Sequence, residues 1–208
     1  MSPIERNALV EIDNLTDIEK IYIYAKDSTF PNVQRRATER LCEMESKYRR
    51  QQDYLKVLAM DSKDDEVRHI AVTGIIRQDY LQCLAVESKD SEVRRIAVTG
   101  ITRQDYLVEL VQMSEHVEVC RIAVTGINNQ SWLERFTKDS PHPEVRRIAV
   151  TSITNETLRI KTAFEDKDLS VRDSAANKIT DRDALINLFL EGMVSDNIVL
   201  RLPQDDRL

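Results

Sequence analysis

The chain has 208 residues with only four glycines and five prolines, so it holds one continuous core and has little length to spare for linkers. Aromatic residues make up 5%, which argues against β-rich architecture, and a net charge of −6 argues against a dedicated nucleic-acid protein on bulk electrostatics. The three cysteines (Cys42, Cys83, Cys120) are scattered and show no CxxC or Cys/His spacing. They suggest neither a disulfide framework nor a zinc site, and they point to a reducing cytoplasm.

Met1 to Arg6 lacks a basic-then-apolar leader, and no apolar run approaches the ~20 residues of a membrane helix. Residues 1–14 read as a short lead-in. Thr16 to Lys26 reads as a helix with Ile18, Ile21, Tyr22 and Ala25 on one stripe, opened by the capping pattern Thr16-x-x-Glu19. This helix is taken as the unpaired second helix of a half unit, so 1–28 is assigned as an N-terminal cap.

From Val33 onward one pattern recurs. Val67 to Ile75 returns as Val93 to Ile101, Val119 to Ile127 and Val145 to Ile153, each a step of 26 residues, with a weaker copy at Val171. The step from Val33 to Val67 is 34, and the excess falls in Cys42 to Gln52, either as a longer helix or as a protruding loop. A fixed period of this size marks stacked supersecondary units that bury one another's apolar faces.

Within each period, Val93, Ile96, Ala97 and Ile101 lie on one helical face. Asp64, Asp90 and Asp168 stand three residues before their valines as N-caps, and Pro31 and Pro143 follow the cap position, so the first helix starts two residues before each valine. A second helix carries Leu55 and Leu58, Leu81 and Leu84, Leu107 and Leu110, Leu133 and Phe136, Leu185 and Leu188. Thr102-x-x-Asp105 and Thr180-x-x-Asp183 read as its capping boxes. Gly74, Gly100 and Gly126 are read as places where the first helix runs on and two backbones pass closely, because Arg40, Ser152 and Lys178 occupy the same column. The column Tyr54, Tyr80, Tyr106, Trp132, Leu158, Ala184 reads as packing rather than as a binding row. Arg159, in the leucine column, suggests a one-residue shift of its helix. The segment 193–208 reads as a C-terminal cap or tail.

The pattern Asp-x-x-Val-Arg-x-x-Ala, at Asp64 to Ala71 and Asp90 to Ala97, resembles the inner-helix signature of HEAT repeats. The resemblance covers roughly Pro31 to Glu191, with a repeat shorter than the usual HEAT length. It implies an all-α fold: a right-handed α-solenoid of about six two-helix repeats over 29–192 with terminal caps, forming a single domain over 1–208. HEAT proteins are mostly scaffolds and binders, and fold analogy alone licenses no activity.

Two arginine rows follow. The first is Arg68, Arg94, Arg146 and Arg172, with Cys120 in the third copy. The resemblance implies that these arginines pair with acids at Asp64, Asp90 and Asp168 in a ladder between repeats. The joint appearance of His116 and Cys120 in one copy fits a structural ladder. The second row is Arg35, His69, Arg95, Arg121 and Arg147, ending at Asp173, with Thr73, Thr99, Thr125 and Thr151 four residues further along nearly the same line. If the first helices form the concave side, as the resemblance implies, this row is a cationic track whose guanidinium forks suit carboxylate or phosphate.

The three histidines do not cluster, and no P-loop, nucleophile elbow or metal motif is present, so no enzyme, cofactor or metal is expected. The expectation is a cytoplasmic, non-enzymatic scaffold or adaptor that binds an acidic protein partner through the nine residues of the Arg/His and Thr lines. One alternative is nucleic-acid binding through the same track, reinforced by Arg36, Arg40, Lys47, Arg49 and Arg50. The other is a structural subunit that assembles through its lateral faces. The sequence leaves the partner's identity and the oligomeric state open.

Overall fold

The computed structural model describes residues 1–44, 49–195 and 198. Among these residues every regular element is helical and there is no strand. The chain separates into two compact units, Met1–Tyr106 and Leu107–Leu208.

In the first unit the helices are α1 (Pro3–Asn14), α2 (Ile18–Asp27), α3 (Pro31–Glu43), α4 (Arg49–Asp61), α5 (Asp65–Thr73), α6 (Gln78–Glu87) and α7 (Ser91–Thr99), followed by the start of α8 (Gln104–Met113). Two layers result: α1, α3, α5 and α7 pack in series, as do α2, α4 and α6. Between layers the closest packing joins a second helix to the first helix of the next repeat, as in α2 on α3, α4 on α5 and α6 on α7. The second unit repeats this with the rest of α8, α9 (Val117–Thr125), α10 (Gln130–Asp139), α11 (Pro143–Ser152), α12 (Glu156–Glu165), α13 (Leu169–Ala176) and α14 (Arg182–Leu190). There α10 packs on α11 and α12 on α13, while α9, α11 and α13 form one layer. Within each unit this succession of helix-on-helix contacts is consistent with an α-solenoid.

The core is the predicted apolar pattern. Val33, Val67, Val93, Val119, Val145 and Val171 are fully buried, as are the alanines four residues on. Every leucine named for the second helix is buried too. Ile70, Ile96, Ile122 and Ile148 are only half-buried, because they sit at the edge of that face. The first helices begin where expected. Asp64 accepts from the Val67 amide, Asp90 from Glu92 and Val93, and Asp168 from Ser170 and Val171.

Four sequence expectations need correcting. Residues 3–14 form α1, not a lead-in. Ser2 accepts the Glu5 amide at 3.1 Å, Glu5 accepts the Ser2 amide at 3.3 Å, and Pro3 opens the helix. The second helices start later than the threonine pattern implied. Asp17 caps α2 and Asp181 caps α14, while α8 starts at Gln104. The glycines end their helices: Gly74, Gly100 and Gly126 are C-caps in right-handed conformation, and side chains, not backbone, crowd them. Arg159 involves no displaced helix start, since α12 is capped by Asn155 just as α10 is capped by Asn129. Leu158 turns into the core instead, and Arg159 donates to the carbonyls of Ile153 and Lys178.

Part of the 34-residue step goes into longer helices, since α3 and α4 each have 13 residues where α5 has nine. Gln51, fully buried, donates to the carbonyls of Leu41 at 2.5 Å and Met44 at 3.1 Å and so closes the end of α3. Residues 45–48, including Lys47, and most of 193–208 lie outside the described residues.

A methyl group on Gly74 would stand 2.5 Å from Cys42 Sγ and 3.0 Å from Leu55 Cδ1, whereas one on Gly100 meets nothing nearer than 3.1 Å. Gly74→Ala is therefore expected to destabilise the protein by about 1–3 kcal/mol, and Gly100→Ala by less than about 1 kcal/mol. Urea denaturation of the two variants checks this, and equal midpoints would contradict it.

Candidate functional site

The first arginine row is structural. Arg94 and Arg146 are 9% and 4% exposed. Arg68, Arg94, Arg146 and Arg172 each donate to the carbonyl that ends the preceding helix, at Ser62, Ser88, Ser140 and Asp166. Cys120 directs its thiol to Ser114 in the same way. The acids of the ladder differ in part from expectation. Arg68 pairs with Asp90, but Arg146 takes Asp166 rather than Asp168, and Asp64 receives Arg35 from the other row. Asp166 occupies the column where the other repeats carry serine, two residues before Asp168.

A second structural column was missed in the sequence. Gln52, Gln78, Gln104, Gln130 and Glu156 recur every 26 residues in the first turn of α4, α6, α8, α10 and α12. Gln52 donates to the Gly74 carbonyl at 3.0 Å and accepts the amides of Ile76 at 2.8 Å and Arg77 at 3.3 Å. Gln78 makes the same three contacts to Gly100, Thr102 and Arg103, and Gln130 joins Ser152 and Thr154. Gln52, Gln78 and Gln130 thus pin the turn that follows the next repeat's first helix. The threonines read as caps are the groups being held. In α12 Glu156 plays the acceptor half alone. The Thr180 amide, ahead of Arg159, brings its carboxyl down to about 2.

The predicted binding row divides into two kinds of residue. In the first unit it is neutralised. Arg35 forks onto Asp64 at 3.0 and 3.3 Å, His69 Nε2 lies 3.2 Å from Asp90, and Arg95 turns back along its own helix to Glu92 at 2.7 Å. Arg36 is held by Asp13, Glu39 and Glu43, Arg40 by Glu43, and Arg50 by Glu19. In the second unit Arg121 on α9 and Arg147 on α11 are exposed, and among the described residues neither has an ion pair or a side-chain hydrogen bond. Asp173, the next in the row on α13, accepts from the backbone amide of Ser195 at 2.8 Å and from its hydroxyl.

The cause lies in the caps. Arg35 and His69 find their acid in the cap aspartate of the following first helix, Asp64 and Asp90. The cap that would serve Arg121 is His142, which offers no carboxylate. The one that would serve Arg147 is Asp168, which accepts the Ser170 hydroxyl and amide and makes no ion pair with Arg147 among the described residues. Ile122 and Ile148, each next in sequence to one of these arginines, are half-buried. The Thr125 and Thr151 hydroxyls donate to the carbonyls of Ile122 and Ile148 at 2.6 and 2.7 Å. Thr73 and Thr99 do likewise to Ile70 and Arg95. The face therefore offers hydrogen-bond donation mainly through guanidinium.

The aromatic column is committed to packing and to cations. Tyr22 and Tyr54 stack at 4.0 Å, Arg77 lies 3.8 Å over Tyr80, and Arg103 lies 4.3 Å over Tyr106. Burial pushes the Cys42 thiol up to about 11 and also raises that of Cys120, which keeps both in the unreactive thiol form. Among the described residues no group of three or more His, Cys, Asp or Glu is placed to hold a metal ion, and no helix is long and apolar enough to cross a membrane.

Site and fold together define an all-helical protein of stacked helix pairs that presents a small cationic and apolar face. No protein-family model matches the chain, and comparison with curated proteins finds no match.

Proposed function

We propose that this chain is a HEAT-like repeat protein that works without catalysis, as a scaffold or adaptor, and binds an acidic segment of a partner protein on the exposed face of α9 and α11. One observation carries the reading: Arg121 and Arg147 are exposed and have no acidic partner among the described residues, while Arg35, His69 and Arg95 each lie against a carboxylate. Guanidinium forks favour carboxylates, and the half-buried Ile122 and Ile148 leave some apolar surface on the same two helices for apolar side chains of the ligand. Thr125 and Thr151 border the contact through their methyl groups and acceptor lone pairs. Arg35, His69 and Arg95, each set against a carboxylate, and Thr73 and Thr99 beside them stand outside the proposed contact. Three free cysteines support a reducing compartment, the cytoplasm.

A fluorescein-labelled peptide of glutamates and leucines tests the reading by anisotropy. Arg121→Glu/Arg147→Glu is expected to weaken binding at least about 30-fold, because like charges then face each other. Arg35→Glu/Arg95→Glu is expected to change it less than about 3-fold in protein that remains folded. Equal losses in the two variants would overturn the assignment.

A further inference from the structure

A second surface, of opposite charge, lies in the first unit. A groove of about 540 Å³ runs between α1 and α2. Its walls include Ile4, Ala8, Ile23 and Phe30, and Ile4 and Ile23 are 71% and 56% exposed. Single exposed apolar residues need no explanation, but several lining one concavity do. The matching position in the second unit, four residues before the end of its helix, carries Arg135 on α10 and Lys161 on α12. In the first unit the same position is apolar or neutral, at Val57 on α4 and Cys83 on α6, so what sets Ile23 apart is its 56% exposure and its place in a concavity beside Ile4.

The charge of the groove is one-sided. Glu11 and Asp27 line it and no lysine or arginine does. Glu11 accepts a hydrogen bond from Tyr24 at 2.8 Å, and neither carboxylate has an ion pair among the described residues. The adjacent Lys26 sits 5.7 Å from the Tyr22 ring and does not line the groove. An apolar trough bordered by two uncompensated carboxylates repels an acidic ligand and attracts a cationic one.

Two of its walls are helices and the third is the Ser28–Phe30 turn, where the Ser28 amide donates to the Tyr24 carbonyl and the Phe30 carbonyl accepts from Val33 and Gln34; the described residues present no strand edge. An extended peptide would find few main-chain partners there and would leave most of its own amides unpaired. A helix satisfies its own backbone and presents apolar side chains along one face.

We propose that the α1–α2 groove docks a basic amphipathic helix of a partner protein. Its apolar face lies on Ile4, Ala8, Ile23 and Phe30, and its lysines or arginines meet Glu11 and Asp27. This surface is separate from the Arg121/Arg147 face and does not depend on it.

The test uses two labelled synthetic helices of about 18 residues. Both carry leucine at i, i+3, i+4 and i+7; the remaining positions are lysine in one and glutamate in the other. Anisotropy with the full chain is expected to show the lysine helix binding at least about 10-fold tighter than the glutamate helix. Glu11→Lys/Asp27→Lys is expected to remove that preference, and Ile23→Ser, at an exposed position, to weaken the lysine helix several-fold. Circular dichroism confirms folding, and if the double variant is unfolded the Ile23→Ser result decides alone. Absence of binding, equal binding of both helices, or lysine-helix binding untouched by the changes would overturn the proposal.

Discussion

Gln52→Leu is expected to lower the unfolding free energy by about 2–3 kcal/mol although it keeps the volume of the side chain. Gln52 is 2% exposed, and its amide is the shared partner of the Gly74 carbonyl and the Ile76 and Arg77 amides. Leucine leaves those three backbone groups without it, and an unmade hydrogen bond at a buried group costs more than a made one contributes. The more exposed Gln78 makes the same contacts, so water can replace it, and Gln78→Leu is expected to cost only about 1 kcal/mol. Gln52→Glu separates the halves of the clamp: it keeps the acceptor for the two amides and loses the donor to Gly74. It should fall between wild type and Gln52→Leu. Urea unfolding of the three variants is the measurement, and a Gln52→Leu protein as stable as wild type would sink the clamp.

Arg146→Met is the other large effect, at about 3–5 kcal/mol, because it strands the Asp166 carboxylate in the interior. The pair is bidentate at 2.8 and 2.9 Å with side chains 4% and 7% exposed. The double change Arg146→Met/Asp166→Leu removes both charges and should be clearly more stable than Arg146→Met alone. Burial pushes the Asp166 carboxyl up, but the Arg146 fork and the Asp168 amide outweigh it and hold the group below its ordinary value. A depressed carboxyl contributes stability above its unfolded value, near about 4, and that contribution is lost as pH falls through the folded value. Glu156, held at about 2, acts in the same sense. Wild type should therefore lose stability steeply between about pH 5 and pH 2, and the double variant less steeply. Parallel pH profiles would contradict the assignment.

The sequence carried the helices best where two local signals agreed. Asp64, Asp90 and Asp168 stand before buried valines at helical spacing, and each helix begins where cap and pattern coincide. It misled where one polar residue type serves two ends. Thr102 and Thr180 resembled caps, yet they are groups held by Gln78 and Glu156 from the preceding repeat. The glutamine column was visible as a 26-residue repetition, but a glutamine in a first turn looks like any solvated polar residue. α1 was also legible, in Ser2-Pro3-x-Glu5, had the capping pattern been applied before the first repeat. The binding row was legible as a row and not as free or neutralised charge. Arg35 and Arg121 occupy the same place in their repeats, and what separates them is whether the next cap is Asp64 or His142.

The central claim is that the α9–α11 face binds an acidic protein segment. The most direct measurement is a side-by-side anisotropy titration of the glutamate–leucine peptide and of single- and double-stranded oligonucleotides, at ~50 and ~200 mM salt, with wild type and Arg121→Glu/Arg147→Glu. The expected result is peptide binding that survives the higher salt and disappears in the variant, with no oligonucleotide binding of comparable affinity. Tighter oligonucleotide binding that collapses with salt and with the double change would make the same face a nucleic-acid surface and contradict the claim.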